Sequence, residues 1–241
     1  MGTRYTVPTE NDDSLVAVLH PGSGPGGEWF VCCHGFVSDK SGSYERRCRR
    51  AAAEGFDAVR FDFRGCGESD GAFVDATLSS RIADLRAVLD FFEMESCVLF
   101  GSSFGAKTAF HAAVADDRVR AVAGRAPVTY NRAFDEHRAA IDEDDRFQYD
   151  TGHTIDGRFF EDLDRYPFDD VTAALSIPVA LFHGRADETV PLRDSLDATA
   201  AFGTDVLLQT FPDEGHRFSE TAEARMRQQL FDWLSLGCPV L

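Results

Sequence analysis

Short runs of β-branched and aromatic residues alternate along the chain with stretches in which apolar positions recur every three or four residues. Residues 29–33, 57–63, 96–100, 119–124, 178–183 and 206–211 read as strands, and residues 44–54, 78–92, 104–115, 192–202 and about 219–236 read as helices. In the second helix Leu78, Ile82, Leu85, Val88, Leu89 and Phe92 make one stripe, while Arg81, Asp84 and Arg86 face elsewhere. Strands alternating with helices predict a mostly parallel sheet with helices on both faces. Residues 5–9 and 15–19, separated by Asn11, Asp12, Asp13 and Ser14, predict a hairpin that opens the sheet. Residues 126–170 interrupt the alternation with eight aromatics, from Tyr130 to Phe168, among many acids. That is too long for a bare loop, so a small helical cap across the carboxyl edge of the sheet is expected.

The 241 residues, 44% of them hydrophobic, suit one domain, 1–241, with the cap as an insertion. The 24 basic and 41 acidic residues leave a net charge of −17, and Lys40 and Lys107 are the only lysines. So acidic a chain lacks the basic footprint that nucleic acid requires. Its self-repulsion is screened at molar salt, so the composition resembles that of halophilic proteins. The clustered Arg46, Arg47, Arg49 and Arg50 read as the solvated face of a helix. No apolar run approaches the roughly 20 residues of a membrane span, and residues 1–10 lack a secretory pattern, so a cytoplasmic protein with no membrane partner is expected. The six cysteines form no C-x-x-C spacing, and the acidic run 142–145 lacks the alternation of a calcium loop, so no metal and no cofactor is implied.

The sharpest chemical signal is Gly101-Ser102-Ser103-Phe104-Gly105, directly after an apolar strand and before an Ala-rich helix. A serine on so tight a turn needs small neighbours two residues to either side, which singles out Ser103 over Ser102. Its hydroxyl needs a base. Of seven histidines, His216 lies in the loop leaving strand 206–211, where it can reach the same sheet edge. Asp187, after strand 178–183, is the carboxylate expected to orient it, with Glu188 as local competitor. The Phe104 N–H, and the Phe36 N–H in the turn His34-Gly35-Phe36, are the expected oxyanion donors, with His34 structural.

The order Ser, Asp, His, together with His34-Gly35-Phe36 and the turn Asp62-Phe63-Arg64-Gly65-Cys66-Gly67-Glu68-Ser69, resembles the α/β-hydrolase superfamily, specifically small capped esterases of the feruloyl or cinnamoyl type. The resemblance runs from about Trp29 to Trp233. The 62–69 turn reads as structural, with Arg64 and Asp62 as a local ion pair. Serine stands at 102 where the family often has histidine. The expectation is a serine hydrolase that cleaves a small-molecule carboxylic ester through an acyl-enzyme. The alternatives are an acyl-CoA thioesterase, a small peptidase, or a non-catalytic ligand receptor on the same fold. Oligomeric state is not legible, and a homo-oligomer stays open.

Overall fold

The computed structural model describes residues 2–24, 27–141, 146–150 and 152–237. Strands β1 (Thr3–Pro8), β2 (Ser14–His20) and β3 (Trp29–Cys33) lead into helix α1 (Ser43–Ala53) and β4 (Asp57–Phe61). Helix α2 (Leu78–Phe91), β5 (Cys97–Ser102), α3 (Phe104–Val114) and β6 (Val119–Arg125) follow. The insertion holds α4 (Asp135–Ala139), β7 (Arg146–Gln148), β8 (Thr154–Asp156) and α5 (Gly157–Asp164). The chain then returns through α6 (Phe168–Ala174), β9 (Val179–Gly184), α7 (Leu192–Ala201), β10 (Val206–Phe211) and α8 (Glu220–Gly237).

Eight strands form one sheet in the order β1-β2-β4-β3-β5-β6-β9-β10. The β1–β2 and β2–β4 pairs are antiparallel, and all other neighbours are parallel. Successive residues of a strand point to opposite faces, so a sheet covered on both sides needs continuous apolar strands. In β3 Val31 and Cys33 join the core with Leu85 and Val88 of α2 and Ala109 and Phe110 of α3. Phe30 and Cys32 join the opposite core with Cys48 of α1 and Met226 and Leu230 of α8. This is the α/β-hydrolase fold expected from the sequence.

Four local expectations are corrected. The insertion is not wholly helical: β7 and β8 form a hairpin in which Phe147 faces Ile155, a ladder of three residues per strand and too short for sequence periodicity to reveal. Arg47 is not on a solvated face but fully buried, its guanidinium bonded to Glu223 of α8 at 2.5 Å and lying over the Tyr44 and Phe100 rings. Arg81 and Asp84 do not escape the core either, since both are fully buried. Arg64 and Asp62 are not each other's partners: Arg64 makes a two-pronged contact with Asp84 at 2.6 and 2.9 Å, and Asp62 takes the Lys40 ammonium at 2.5 Å. In the last three cases a long cation covers apolar surface while its head finds an acceptor from a distant segment, which sequence periodicity does not register. The acidic run 142–145 lies outside the described residues.

Candidate active site

The strand β5 ends at Ser102 and α3 begins at Phe104, leaving Ser103 as the single residue of the turn. Its backbone has φ 54° and ψ −123°, a conformation that L residues rarely adopt and that holds the side chain out from the sheet edge. The glycines at the flanking offsets are sterically required: a Cβ on Gly101 would lie 2.3 Å from Ala106 Cα, and one on Gly105 would lie 2.3 Å from the Cys33 carbonyl oxygen. The last residue of β6 holds the turn from the side, with Ser103 N–H donating to the Arg125 carbonyl at 2.9 Å and Val128 N–H donating to the Ser103 carbonyl at 3.1 Å. Ser102, the rival serine, is fully buried, and its hydroxyl accepts from Arg125 Nε at 3.3 Å.

Asp187 and His216 come from loops after adjacent parallel strands, β9 and β10. Ala186 N–H donates to the Glu214 carbonyl at 3.0 Å, and a Cβ on Gly184 would stand 2.1 Å from that same oxygen, so only glycine lets the loops close together. The result is a hydrogen bond from His216 Nδ1 to Asp187 Oδ2 of 2.9 Å. Asp187 Oδ1 accepts the Thr189 and Val190 N–H groups, each at 2.9 Å. Burial pushes the Asp187 carboxyl up, but hydrogen bonds from His183, His216 and Val190 outweigh it and hold the group well below the usual carboxylate range. It is therefore a fixed anion at neutral pH, and the proton on His216 is directed to Nδ1, leaving Nε2 as the basic nitrogen.

Two further residues complete this geometry. His183, the fifth residue of β9, is fully buried, with Nε2 at 2.9 Å from the Val190 carbonyl and 3.2 Å from Asp187 Oδ2, and Nδ1 at 2.7 Å from Ser195 Oγ. A carbonyl can only accept, so Nε2 carries the proton and braces Asp187 at Oδ2, the same oxygen that His216 reaches. Arg125 donates through Nη1 to the His216 carbonyl and through Nε to Ser102, so it ties the serine turn to the histidine loop. Neither role was visible in the sequence, although His183 stands four residues before Asp187 at a strand end, and that offset is the one signal that could have drawn attention to it. Among the described residues no hydrogen bond joins Ser103 Oγ to His216. The structure thus joins Asp187 to His216 directly, and Ser103 to both through backbone and Arg125.

The turn after β3 lies against the serine, since a Cβ on Gly35 would be 3.3 Å from the Ser102 carbonyl oxygen and 3.4 Å from Ser103 Cβ. Tyr44 Oη accepts the Gly35 N–H at 3.1 Å. His34 is fully buried and structural: the Phe63 N–H donates to its Nε2 at 3.0 Å, and its Nδ1 donates to the Gly35 carbonyl at 2.8 Å. Burial first, and then the charge of Arg81, push its pKa down to about 3, so the ring is neutral. The Phe36 ring meets Phe73, Phe104, Phe159 and Tyr149 at centroid separations of 4.8 to 5.3 Å. Insertion aromatics therefore line an apolar wall beside the turn as well as dock the insertion. Among the described residues no cluster of ligating side chains could hold a metal ion.

Residues 28–140 match a family described as serine aminopeptidase S33. The mitochondrial palmitoyl-protein thioesterase ABHD10 of Mus musculus is 28% identical over 229 residues, covering 85% of this chain and 75% of the relative. Among solved structures, mouse α/β-hydrolase domain-containing protein 10 superposes with a TM-score of 0.85 at 21% identity, over 97% of this chain and 98% of its own. The esterase Est1E of Butyrivibrio proteoclasticus, solved with ferulic acid, gives a TM-score of 0.85 at 20% identity, over 96% and 98%. The structural likenesses show the fold; the sequence matches support a place in the α/β-hydrolase superfamily and a hydrolytic activity of the serine type.

Proposed function

We propose that the chain is a serine hydrolase that cleaves carboxylic esters through an acyl-enzyme. The observation that carries this reading is the fixed Asp187–His216 pair beside a serine held in a rare backbone conformation at the same sheet edge. His216 Nε2 takes the Ser103 proton as Oγ bonds to the ester carbonyl carbon, and the Phe36 and Phe104 N–H groups receive the oxygen that becomes negative. As the carbon–oxygen bond to the alcohol breaks, His216 returns the proton to the departing oxygen. A water, deprotonated by the same nitrogen, then releases the acid and restores Ser103.

A thioester substrate is the second reading, favoured by the ABHD10 relative's description as a palmitoyl-protein thioesterase and by the apolar wall around Phe36. Both readings use the same residues, so one experiment serves both. Turnover of p-nitrophenyl acetate and of a CoA thioester, together with labelling by a fluorophosphonate, should disappear in Ser103→Ala. Full turnover in that variant rejects Ser103 as nucleophile, and a protein inert to every probe supports a ligand receptor instead.

A further inference from the structure

Arg81 of α2 is fully buried, and among the described residues no carboxylate is hydrogen-bonded to it. The nearest candidate, Asp84 one turn along the helix, gives its carboxylate to Arg64 instead. The Arg81 guanidinium lies 4.1 Å from the centroid of the Phe63 ring and 5.4 Å from that of Phe104, which accounts for part of its stabilisation. Its Nε and Nη1 have no hydrogen-bond partner. The remaining nitrogen, Nη2, donates to the His34 carbonyl at 3.0 Å and to the Gly35 carbonyl at 3.3 Å. A buried cation without a bonded anion disfavours folding, and an apolar side chain could fill the same space without that cost.

The carbonyl it reaches identifies what the cation does. Gly35 C=O belongs to the same peptide unit as the Phe36 N–H, and it receives a second donor, His34 Nδ1–H, at 2.8 Å. Nε2 of His34 is occupied by the Phe63 N–H, so the tautomer is fixed and the 3.4 Å approach of Arg81 Nη2 to Nδ1 is a contact of two donors, not a bond. Donation to a peptide oxygen draws charge from the nitrogen end and makes its N–H a stronger donor. A full positive charge behind that peptide acts in the same sense in a dry interior.

We propose that Arg81 is a positioning residue for the oxyanion: with neutral His34 it grips the Gly35 carbonyl, fixing the Gly35–Phe36 peptide and strengthening the Phe36 N–H toward the tetrahedral oxygen of an ester adduct. The proposal rests on the reading of Ser103 as an esterolytic nucleophile. Its signature is selective. The substrate's ground-state carbonyl gains little from a stronger donor, whereas the negative oxygen of the adduct gains much.

The test compares wild type with Arg81→Met, Arg81→Gln and Arg81→Lys, using p-nitrophenyl acetate as substrate and phenylboronic acid as the former of a tetrahedral serine adduct. The neutral variants should lose roughly 10- to 100-fold in kcat, less than the about 10² to 10³ for outright removal of an oxyanion donor. Boronate affinity should fall by a similar factor, while KM and the midpoint of the acid limb, the fall of kcat toward low pH, stay near wild type. Arg81→Lys, which restores a cation, should recover part of both losses. Unchanged kcat and boronate affinity in a folded neutral variant overturn the proposal, as does a loss shared with KM and a displaced acid limb, the mark of general loosening. Should neither neutral variant fold, the wild-type protein labelled at the Gly35 carbonyl carbon decides: two donors should move that resonance downfield of the other glycines, and a position among them overturns the proposal. A wild type without Ser103-dependent ester turnover rejects the underlying reading, an outcome distinct from active enzyme with indifferent Arg81 variants.

Discussion

Replacing Asp187 with asparagine exchanges one carboxylate oxygen for an NH2 group at almost no change in volume, and the donors around that position set the consequence. The carboxylate has four of them: the Thr189 and Val190 N–H groups on Oδ1, and the ring nitrogens of His216 and His183 at 2.9 and 3.2 Å from Oδ2. An amide has one accepting oxygen. If that oxygen stays with the backbone, the NH2 group faces both rings. His183 Nε2 is held as N–H by the Val190 carbonyl, so His216 must present an unprotonated Nδ1 and carry its proton on Nε2. It can then no longer take the Ser103 proton. A tautomer error of this kind costs about 10⁴ in kcat in the trypsin-type triad, equivalent to roughly 5 to 6 kcal/mol in the barrier. If the amide flips, the backbone donors are stranded instead, at about 1 to 3 kcal/mol of stability each. The assay is p-nitrophenyl acetate turnover at pH 8 alongside a thermal melt. A folded Asp187→Asn enzyme within tenfold of wild-type kcat/KM would refute the assignment. The pH dependence adds a check. Because the folded carboxyl titrates below its ordinary 3.8, its stabilising contribution is complete above that value and is lost as pH falls through the lower folded value. The stability gap between wild type and variant should therefore narrow below about pH 4.

Three further outcomes are expected from the same geometry. Gly184→Ala puts a Cβ 2.1 Å from the Glu214 carbonyl oxygen, so it should cost at least 1 to 3 kcal/mol of stability, roughly the range for overpacking, and reduce kcat by separating Asp187 from His216; denaturant melts and turnover measure both. Lys107 is buried on α3 with its ammonium donating to the Thr129 carbonyl at 2.7 Å, and burial pulls its pKa down to about 7 despite the opposing attraction of Asp194. A folded value below the unfolded one means the unfolded chain binds more protons between about pH 7 and 10, so stability from this group rises with pH across that window; thermal melts should show the slope in wild type and its loss in Lys107→Met. The net charge of −17 predicts that molar KCl raises the melting temperature by screening self-repulsion, and an equal melting temperature in dilute buffer would count against a halophilic adaptation.

The alternation of strands and helices and the serine turn were legible because each is written in contiguous residues, and the Ser103, Asp187, His216 order because each candidate follows a strand that its own pattern declares. Gly101 answers a local steric requirement, the backbone of Ala106, whereas Gly105 answers the Cys33 carbonyl of distant β3; β5 and α3 declare themselves by pattern on either side of the turn. The strand expected over 57–63 ends at Phe61 because Asp62 turns to the Lys40 ammonium and the Phe63 N–H to His34, contacts with a segment more than twenty residues earlier. The buried cations Arg47, Arg81 and Arg125 escaped the sequence for a related reason. A hydrophobic stripe ranks arginine as outward-facing, yet its long stem covers apolar surface and its head finds carbonyls, aromatic faces or a carboxylate supplied by other elements.

By itself, then, the chain determined the order of strands and helices and the tight serine turn, and it singled out Ser103, Asp187 and His216 as candidates at strand ends, since these readings depend on short-range periodicity and turn composition. Only the tertiary structure decided that His183 braces Asp187, that Arg125 spans the serine turn and the histidine loop, and that Arg81 and His34 share the Gly35 carbonyl. Apart from that of the neighbours His34 and Gly35, those contacts join residues separated by four to about ninety positions, and hydrogen-bond partners at such distances depend on how β9, β10 and α2 pack, not on the order of the residues within any one of them.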